Sequence, residues 1–203
     1  VKKSVNYQKI VETARLLYFR FGYSRITVEE IAREMKISKK TIYNHFTGKR
    51  EILDEVIELI KQKFQQDIEA AMNQPGLTYR EILKAQLTVV GMWLNDVAVF
   101  SKDIREHVPD AWEVLNQFKK EAALMYLNNL LAEGVRQGFL QENDKTNMGL
   151  LIFLISVENL LDPRYRESLP PALKQRIPHT PEQVFNGIVD VIFDGIKDGE
   201  NRG

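Results

Sequence analysis

The chain has no cysteine in 203 residues. That excludes disulfide scaffolding, thiol nucleophiles and cysteine-held metals. Histidine is almost as scarce, with His45, His107 and His179 as the whole supply. No Glu-x-x-His pair suggests a di-metal bundle, and no glycine-rich phosphate loop or nucleophile elbow is present. Asp103, Glu106 and His107 share a possible helix face and can be read as a metal set, or more plainly as a solvated acidic surface. The reading is therefore not an enzyme, with no cofactor and no metal. Long apolar runs are also missing: the longest, Met148 to Val157, has ten residues and is broken by Gly149 and Ser156. That is too short to span a bilayer, and Val1-Lys2-Lys3-Ser4 is a basic lead-in rather than a signal-peptide core. These features lead to the expectation of a cytoplasmic protein without a membrane partner. Strand-period alternation is scarce as well, so the fold is expected to be all-α.

What is present is unevenly distributed. The 28 basic and 28 acidic residues cancel overall, but residues 1–50 hold 12 Lys plus Arg against four acidic residues, a balance of 12 − 4 = +8. The remainder holds 28 − 12 = 16 basic and 28 − 4 = 24 acidic residues, a balance of −8. A basic head on an acidic body steers one end of the molecule towards a polyanion such as DNA.

Inside that head, residues 27–51 read as two short helices joined by a tight turn. Thr27-x-x-Glu30 is a capping box that starts a helix, and Val28, Ile31, Ala32 and Met35 recur at intervals of three and four on one face. Ile37 fills the turn, and Ser38 is a good N-cap for a second helix beginning near Lys39. Its apolar side is Ile42 and Phe46. Lys39, Lys40, Thr41, Tyr43, Asn44 and His45 are left for the other sides. Asparagine can pair with adenine and lysine with guanine or phosphate, while threonine and tyrosine hydroxyls reach phosphates. Tyr43 and His45 serve as well to contact backbone phosphate or to pack against a neighbour as to read sequence.

Upstream, Ile10, Val11, Ala14, Leu17, Tyr18 and Phe21 form an amphipathic helix that stops at Gly22. Together with Gly22-Tyr23, Thr27-Val28, Ile31-Ala32, Ile37-Ser38, Thr41-Ile42-Tyr43, His45-Phe46, Lys49 and Glu51, this string resembles the amino-terminal domain of the TetR family of transcriptional regulators. Lys40 departs from the glycine common in the family, and Lys36-Ile37 from Gly-Val. The resemblance implies that Thr27 and Lys49 sit near phosphates at the starts of the second and fourth helices. It also implies that Lys39, Lys40, Thr41, Tyr43, Asn44 and His45 line the recognition helix.

The body reads as helices throughout. Glu51 to Met72 carries one apolar stripe and would link head to body. Thr78-x-x-Glu81 caps the next helix, Ser101 to His107 forms a short one, and Asp110 caps a helix running towards Gly138. Asn143 or Asp144 caps a helix over 145–161, and Thr180-Pro181 opens the last. Asp162 to His179, with four prolines, is expected to be irregular. The expected division is a helix-turn-helix DNA-binding domain at 1–50 and a larger helical regulatory, ligand-binding and dimerisation domain at 51–203.

Two body helices are apolar on more than one side: Leu150, Leu151, Leu154, Ile155, Leu160 and Leu161 on one, and Val184, Phe185, Ile188, Val189, Ile192, Phe193 and Ile196 on the other. Either both faces are buried within one subunit, or one face pairs with a second copy. The family resemblance implies a homodimer through these helices. Aromatic and sulfur-bearing residues gather in the middle helices: Met92, Trp93, Phe100, Trp112, Phe118, Met125, Tyr126 and Phe153. They can line an apolar ligand pocket, or simply form core. The expected function is a dimeric, sequence-specific repressor that reads double-stranded palindromic operator DNA and is released by a small apolar effector. The alternative is a DNA-binding protein whose carboxyl-terminal part is a protein-interaction module without an effector.

Overall fold

Every regular element among the described residues is an α-helix, in a computed structural model that describes residues 5–161, 163–178 and 180–196. The helices are α1 (Val5–Phe21), α2 (Val28–Glu34), α3 (Lys39–Tyr43), α4 (Lys49–Met72), α5 (Tyr79–Asp96), α6 (Ala98–His107), α7 (Pro109–Arg136), α8 (Asp144–Leu161), α9 (Pro163–Ser168), α10 (Pro171–Lys174) and α11 (Pro181–Ile196). None among the described residues is by itself long and apolar enough to cross a membrane.

Local chemistry sets most boundaries. The Thr78 backbone N–H and hydroxyl donate to Glu81 Oε2 at 2.8 and 2.7 Å, opening α5. Asn143 Oδ1 accepts the Thr146 N–H at 3.0 Å ahead of α8, and Thr180 Oγ1 accepts the Gln183 N–H at 3.3 Å ahead of α11. Each supplies an acceptor for an amide that lacks an intrahelical partner. Gly22 and Gly138 end α1 and α7 with φ of +85° and +70°, a conformation that costs glycine little.

Three expectations need correction. The proline-rich segment after α8 is not wholly irregular, because Pro163 and Pro171 each stand at the first position of a short helix, where a missing N–H costs nothing. Asp162 and His179, at the ends of that segment, lie outside the described residues. Asp110 does not cap α7, which begins at Pro109 with the Trp112 N–H bonded to the Val108 carbonyl at 3.1 Å. The helix expected at Ser101 starts earlier, at Ala98.

The chain forms two compact units, and each is assembled from two separate stretches of sequence. The first unit contains Val1–Gln66 and Asp96–Glu121. Its buried residues include Ile10, Ala14 and Tyr18 of α1, Ile31 of α2, Ile42 of α3, Ile52 and Leu53 of α4, and Phe100 and Ile104 of α6. A three-helix head has more apolar surface than it can bury alone, so α6 packs on α1. Tyr18 and Phe100 stack in parallel at 6.2 Å between centroids, and Phe19 tilts against Phe100 at 5.7 Å.

The second unit contains Asp67–Asn95 and Ala122–Gly203. Tyr79, Leu83, Leu87, Leu130, Phe153, Phe185 and Val189 form its core. Burial, and then the Glu133 carboxylate, push the Tyr79 hydroxyl up to about 12, and it donates to the Leu130 carbonyl at 2.6 Å. At Gly91 a Cβ would lie 2.1 Å from the Phe185 ring, so α5 and α11 approach to a distance only glycine permits. Helix α8 packs on α11 with Phe153 buried, while Met148, Leu151, Ile152 and Ile155 on its outer face are 54%, 52%, 50% and 60% exposed. Helix α8 therefore has the two apolar faces the sequence suggested. Of the stripe expected on α11, Val184, Phe185 and Val189 are buried and Ile188 is half-buried, whereas the side chains of Ile192, Phe193 and Ile196, like that of Leu161 on α8, lie outside the described residues.

Candidate nucleic-acid interface

Helix α2, which opens the helix-turn-helix, is closed by hydrogen bonds at both ends. Thr27 donates its N–H to Glu30 Oε2 at 2.7 Å, and its hydroxyl oxygen accepts the Glu30 N–H at 3.2 Å, completing the expected capping box. The Thr27 backbone bond, followed by its hydroxyl, holds the Glu30 carboxyl below the usual range. At the other end the Ile37 N–H reaches the Ala32 carbonyl at 3.0 Å and the Lys36 N–H reaches Arg33 at 3.1 Å. This six-to-one and five-to-two pair is a Schellman stop, and it places Lys36 at φ +56°. A lysine here occupies a left-handed position that glycine fills more cheaply. Ile37 is half-buried behind it.

Ser38 caps α3, accepting the Thr41 N–H at 3.2 Å, with its hydroxyl 2.9 Å from the Thr41 hydroxyl. Helix α3 has five residues, ending at Tyr43. Asn44 is its C-cap and His45 lies beyond, although their N–H groups still bond to the Lys40 and Ile42 carbonyls at 3.0 and 2.9 Å. Ile42 and Phe46 are buried, as their spacing required. Lys39, Lys40, Tyr43 and Asn44 are exposed, and Thr41 is half-buried. His45 is half-buried too, with the Tyr7 ring edge-on at 6.4 Å, while Tyr7 stacks on Phe46 at 4.6 Å. The structure thus displays four of the candidate reading residues openly and draws His45 towards the packing role.

Both cations that open α4 have partners inside the first unit. The Lys49 ammonium lies 3.9 Å from the centroid of Tyr23, within reach of the Ser24 carbonyl at 3.4 Å. Burial pulls its pKa below the usual lysine value, against the opposing pull of Asp103 and Glu30. Arg50 bonds to Asp54 at 2.9 Å and to Asp110 at 2.7 Å. Glu51 reaches back to the Thr47 N–H at 2.6 Å and is held below the usual carboxylate range by that bond. Asp103, on α6, accepts from both the N–H and the hydroxyl of Ser24 in the α1–α2 connection.

Sequence reasoning missed Ser24 and Arg50, and it gave Asp103 and Asp110 different roles. No local pattern marks these residues, because their partners lie on helices distant in sequence. The only available signal was Asp103 itself, and the spacing of Asp103 and His107 suggested ligation instead. In the fold, Asp103 Oδ1 sits 3.4 Å from His107 Nδ1 while its carboxylate also receives Ser24.

The eight candidate effector residues are not brought together in one unit. Phe100, Trp112 and Phe118 belong to the first unit, where Phe100 is buried against α1 and Phe118 meets Phe64 edge-on at 5.8 Å. Met92, Trp93, Met125, Tyr126 and Phe153 belong to the second. Phe153 is core, and Met92 and Met125 are exposed. Trp93 Nε1 donates to Asp67 at 3.0 Å, and burial together with Glu69 raises the Tyr126 hydroxyl.

Residues 10–56 match the family model described as bacterial regulatory proteins, tetR family. Among known proteins, the chain is 27% identical over 193 residues to the HTH-type transcriptional regulator YvaF of Bacillus subtilis, covering 94% of this chain and 95% of that one. Among solved structures, the fatty acid degradation regulator FadR of Bacillus halodurans has 18% identity and a TM-score of 0.66, with 100% of both chains covered. Bacillus subtilis FadR in complex with stearoyl-CoA has 20% identity and a TM-score of 0.64, covering 94% of this chain and 100% of that one. At these identities the solved structures speak for the fold. The match over residues 10–56 spans the capped helix-turn-helix and ends once α4 has begun, and the remaining helices share the fold of the solved regulators: residues 10–56 match the DNA-binding domain of the tetR family of bacterial regulatory proteins, in a chain that is similar along its length to HTH-type transcriptional regulators.

Proposed function

We propose that the chain is a homodimeric repressor that reads a palindromic operator through α3 and is released from it by a small ligand with a long apolar portion. The observation that carries this reading is the short, doubly capped α3, which presents Lys39, Lys40, Tyr43 and Asn44 outward from a basic head. Thr27, Thr41 and Lys49 flank it as phosphate-side groups, and His45 supports the helix from behind. A twofold dimer would place two such helices in successive major grooves, roughly 34 Å apart. The exposed stripe Met148, Leu151, Ile152 and Ile155 supports a second copy as the cover for α8, since its spacing of three and four is that of a helix-helix seam.

For the ligand, the likeness in fold to a regulator solved with stearoyl-CoA makes long-chain acyl thioesters the first class to test. Trp93, Tyr126 and Phe153 of the second unit are the residues through which we expect it to be felt, with Met92 and Met125 at the exposed side. Binding releases DNA only if the ligand prefers the DNA-incompetent arrangement of the dimer.

The experiment is selection of bound duplexes from random DNA with the full chain, followed by titration of the selected operator with acyl-CoAs of increasing length. The expected result is a palindromic consensus, a steep fall of affinity with salt, and release by one chain-length range. Asn44→Ala should relax base preference, and Lys49→Ala should weaken binding to every duplex. A consensus without twofold symmetry would overturn the dimeric reading. If no acyl-CoA or other apolar compound shifts either melting temperature or DNA binding, the effector is excluded, leaving the carboxyl-terminal part as an interaction module.

A further inference from the structure

Two lysines, Lys39 and Lys40, open α3, and one of them meets a carboxylate. Glu29, in the first turn of α2, forms an ion pair with Lys39, the first residue of α3, and the two side chains are 53% and 50% exposed. Glu29 is not needed for the cap, which uses Glu30. Lys40, one residue on, has no acidic partner among the described residues. The pair therefore singles out one of the two lysines at the start of the reading helix.

A duplex carries about one negative charge per 1.7 Å, so a carboxylate on this face repels any DNA whatever its sequence. Lys39 can neutralise a phosphate fully only by giving up Glu29. A base edge makes a different demand. The lysine ammonium has three donors, so one can remain on Glu29 while the others address guanine O6 and N7. A lysine already held in place also loses less rotamer freedom when it binds.

We propose that Glu29 is a specificity-determining residue, which withholds Lys39 from indiscriminate phosphate contact and orients it for a base edge, widening the gap between operator and random DNA. The proposal rests on α3 being the reading helix.

The test is binding of the full chain to its selected operator and to a scrambled duplex of equal length, by fluorescence anisotropy from about 50 to 200 mM salt. Glu29→Gln should tighten binding to the scrambled duplex about threefold to tenfold, steepen its salt slope by about one unit per protomer, and leave operator affinity within about twofold, so that discrimination falls. In the Lys39→Gln background the same substitution should no longer change discrimination. Equal tightening on both duplexes, or an effect undiminished in the Lys39→Gln background, would make Glu29 a mere bulk charge and overturn the proposal. Asn44→Ala and Lys40→Ala, run alongside, separate the two levels: if both keep full operator preference, α3 is not the reader and the proposal falls with it. Unchanged melting temperatures of the exposed-site variants confirm that binding, not folding, is being read.

Discussion

Asp103 Oδ2 accepts the backbone N–H of Ser24 and Oδ1 accepts its hydroxyl, each at 2.6 Å, across 79 positions of sequence. The α1–α2 connection is thereby fastened to α6 by two charge-assisted bonds. Asp103→Ala is expected to lower unfolding free energy by about 1–2 kcal/mol and to speed amide exchange at Ser24 while leaving α3 unaffected. Urea unfolding and hydrogen-exchange mass spectrometry read the two effects. Unchanged exchange at Ser24 would show that the carboxylate does not hold the connection.

Lys36 occupies a left-handed position that closes the Schellman stop of α2. Glycine adopts this conformation without the Cβ conflict that costs other residues about 1–2 kcal/mol, although it adds freedom to the unfolded chain. Lys36→Gly is therefore expected to stabilise by about 0.5–1 kcal/mol, and Lys36→Val to destabilise. Thermal unfolding of the pair decides, and a stabilising valine would contradict the geometry.

Two buried tyrosines should respond oppositely to loss of their hydroxyls. Tyr18 Oη is buried without a partner among the described residues, and burial followed by Tyr23 pushes it far above the ordinary tyrosine value. Tyr18→Phe removes a polar atom that has lost its water, so stability should hold or rise by about 1 kcal/mol. Tyr79 donates to the Leu130 carbonyl, and Tyr79→Phe should cost about 1 kcal/mol. Denaturant midpoints that fall together in both variants would refute the distinction.

Acid should destabilise the fold through its caps. Thr27, Thr47 and Thr78 hold Glu30, Glu51 and Glu81 below the usual carboxylate range, and Arg136 and then Gln137 bring Glu133 to about 2. A carboxyl whose folded pKa lies below its unfolded value contributes stability above the unfolded value, and loses it as pH falls towards the folded one. Melting temperature is therefore expected to hold at neutral pH and decline from about pH 5 downward. In a Glu30→Gln, Glu51→Gln, Glu81→Gln triple variant the decline should be shallower, starting from a lower plateau. A triple variant as acid-sensitive as the parent would move the effect elsewhere.

Gly91→Ala should be among the most damaging single-methyl additions, since the new atom would overlap the Phe185 ring. Overpacking of this kind costs about 1–3 kcal/mol. Phe185→Leu in the same chain should recover part of the loss by withdrawing the ring, and calorimetry of the single and double variants tests this coupling. Additive losses would mean that the two residues do not conflict.

The parts of this structure that were legible in advance are those whose causes lie within four or five residues. Thr27 with Glu30, Thr78 with Glu81, and Ser38 ahead of Lys39 announce helix starts because donor and acceptor are neighbours in the chain. The apolar spacing of Ile42 and Phe46 fixed which side of the reading segment is buried, and hence which side is left for DNA. Asp110 was misread as a cap because its actual partner, Arg50, lies on another helix. The aromatic residues were misleading in a different way. Trp93 and Phe100 are seven positions apart and looked like one cluster, but the break between α5 and α6 sends the first to one unit and the second to the other. Glu29 and Lys39 were each visible, but their pairing requires the angle between two helices, which no periodicity encodes.

Because the first unit is discontinuous, a ribosome finishes α3 well before it supplies the residues that complete the unit. Until residues 96–121 have emerged, Tyr18 and Phe19 lack Phe100, Ser24 lacks Asp103, and Arg50 lacks Asp110. The nascent head must wait through 121 − 66 = 55 further residues, about three to eleven seconds of elongation, with an apolar face of α1 uncovered. A fragment cut after Gln66 would carry the whole reading motif yet remain at that unfinished stage, sticky and prone to self-association.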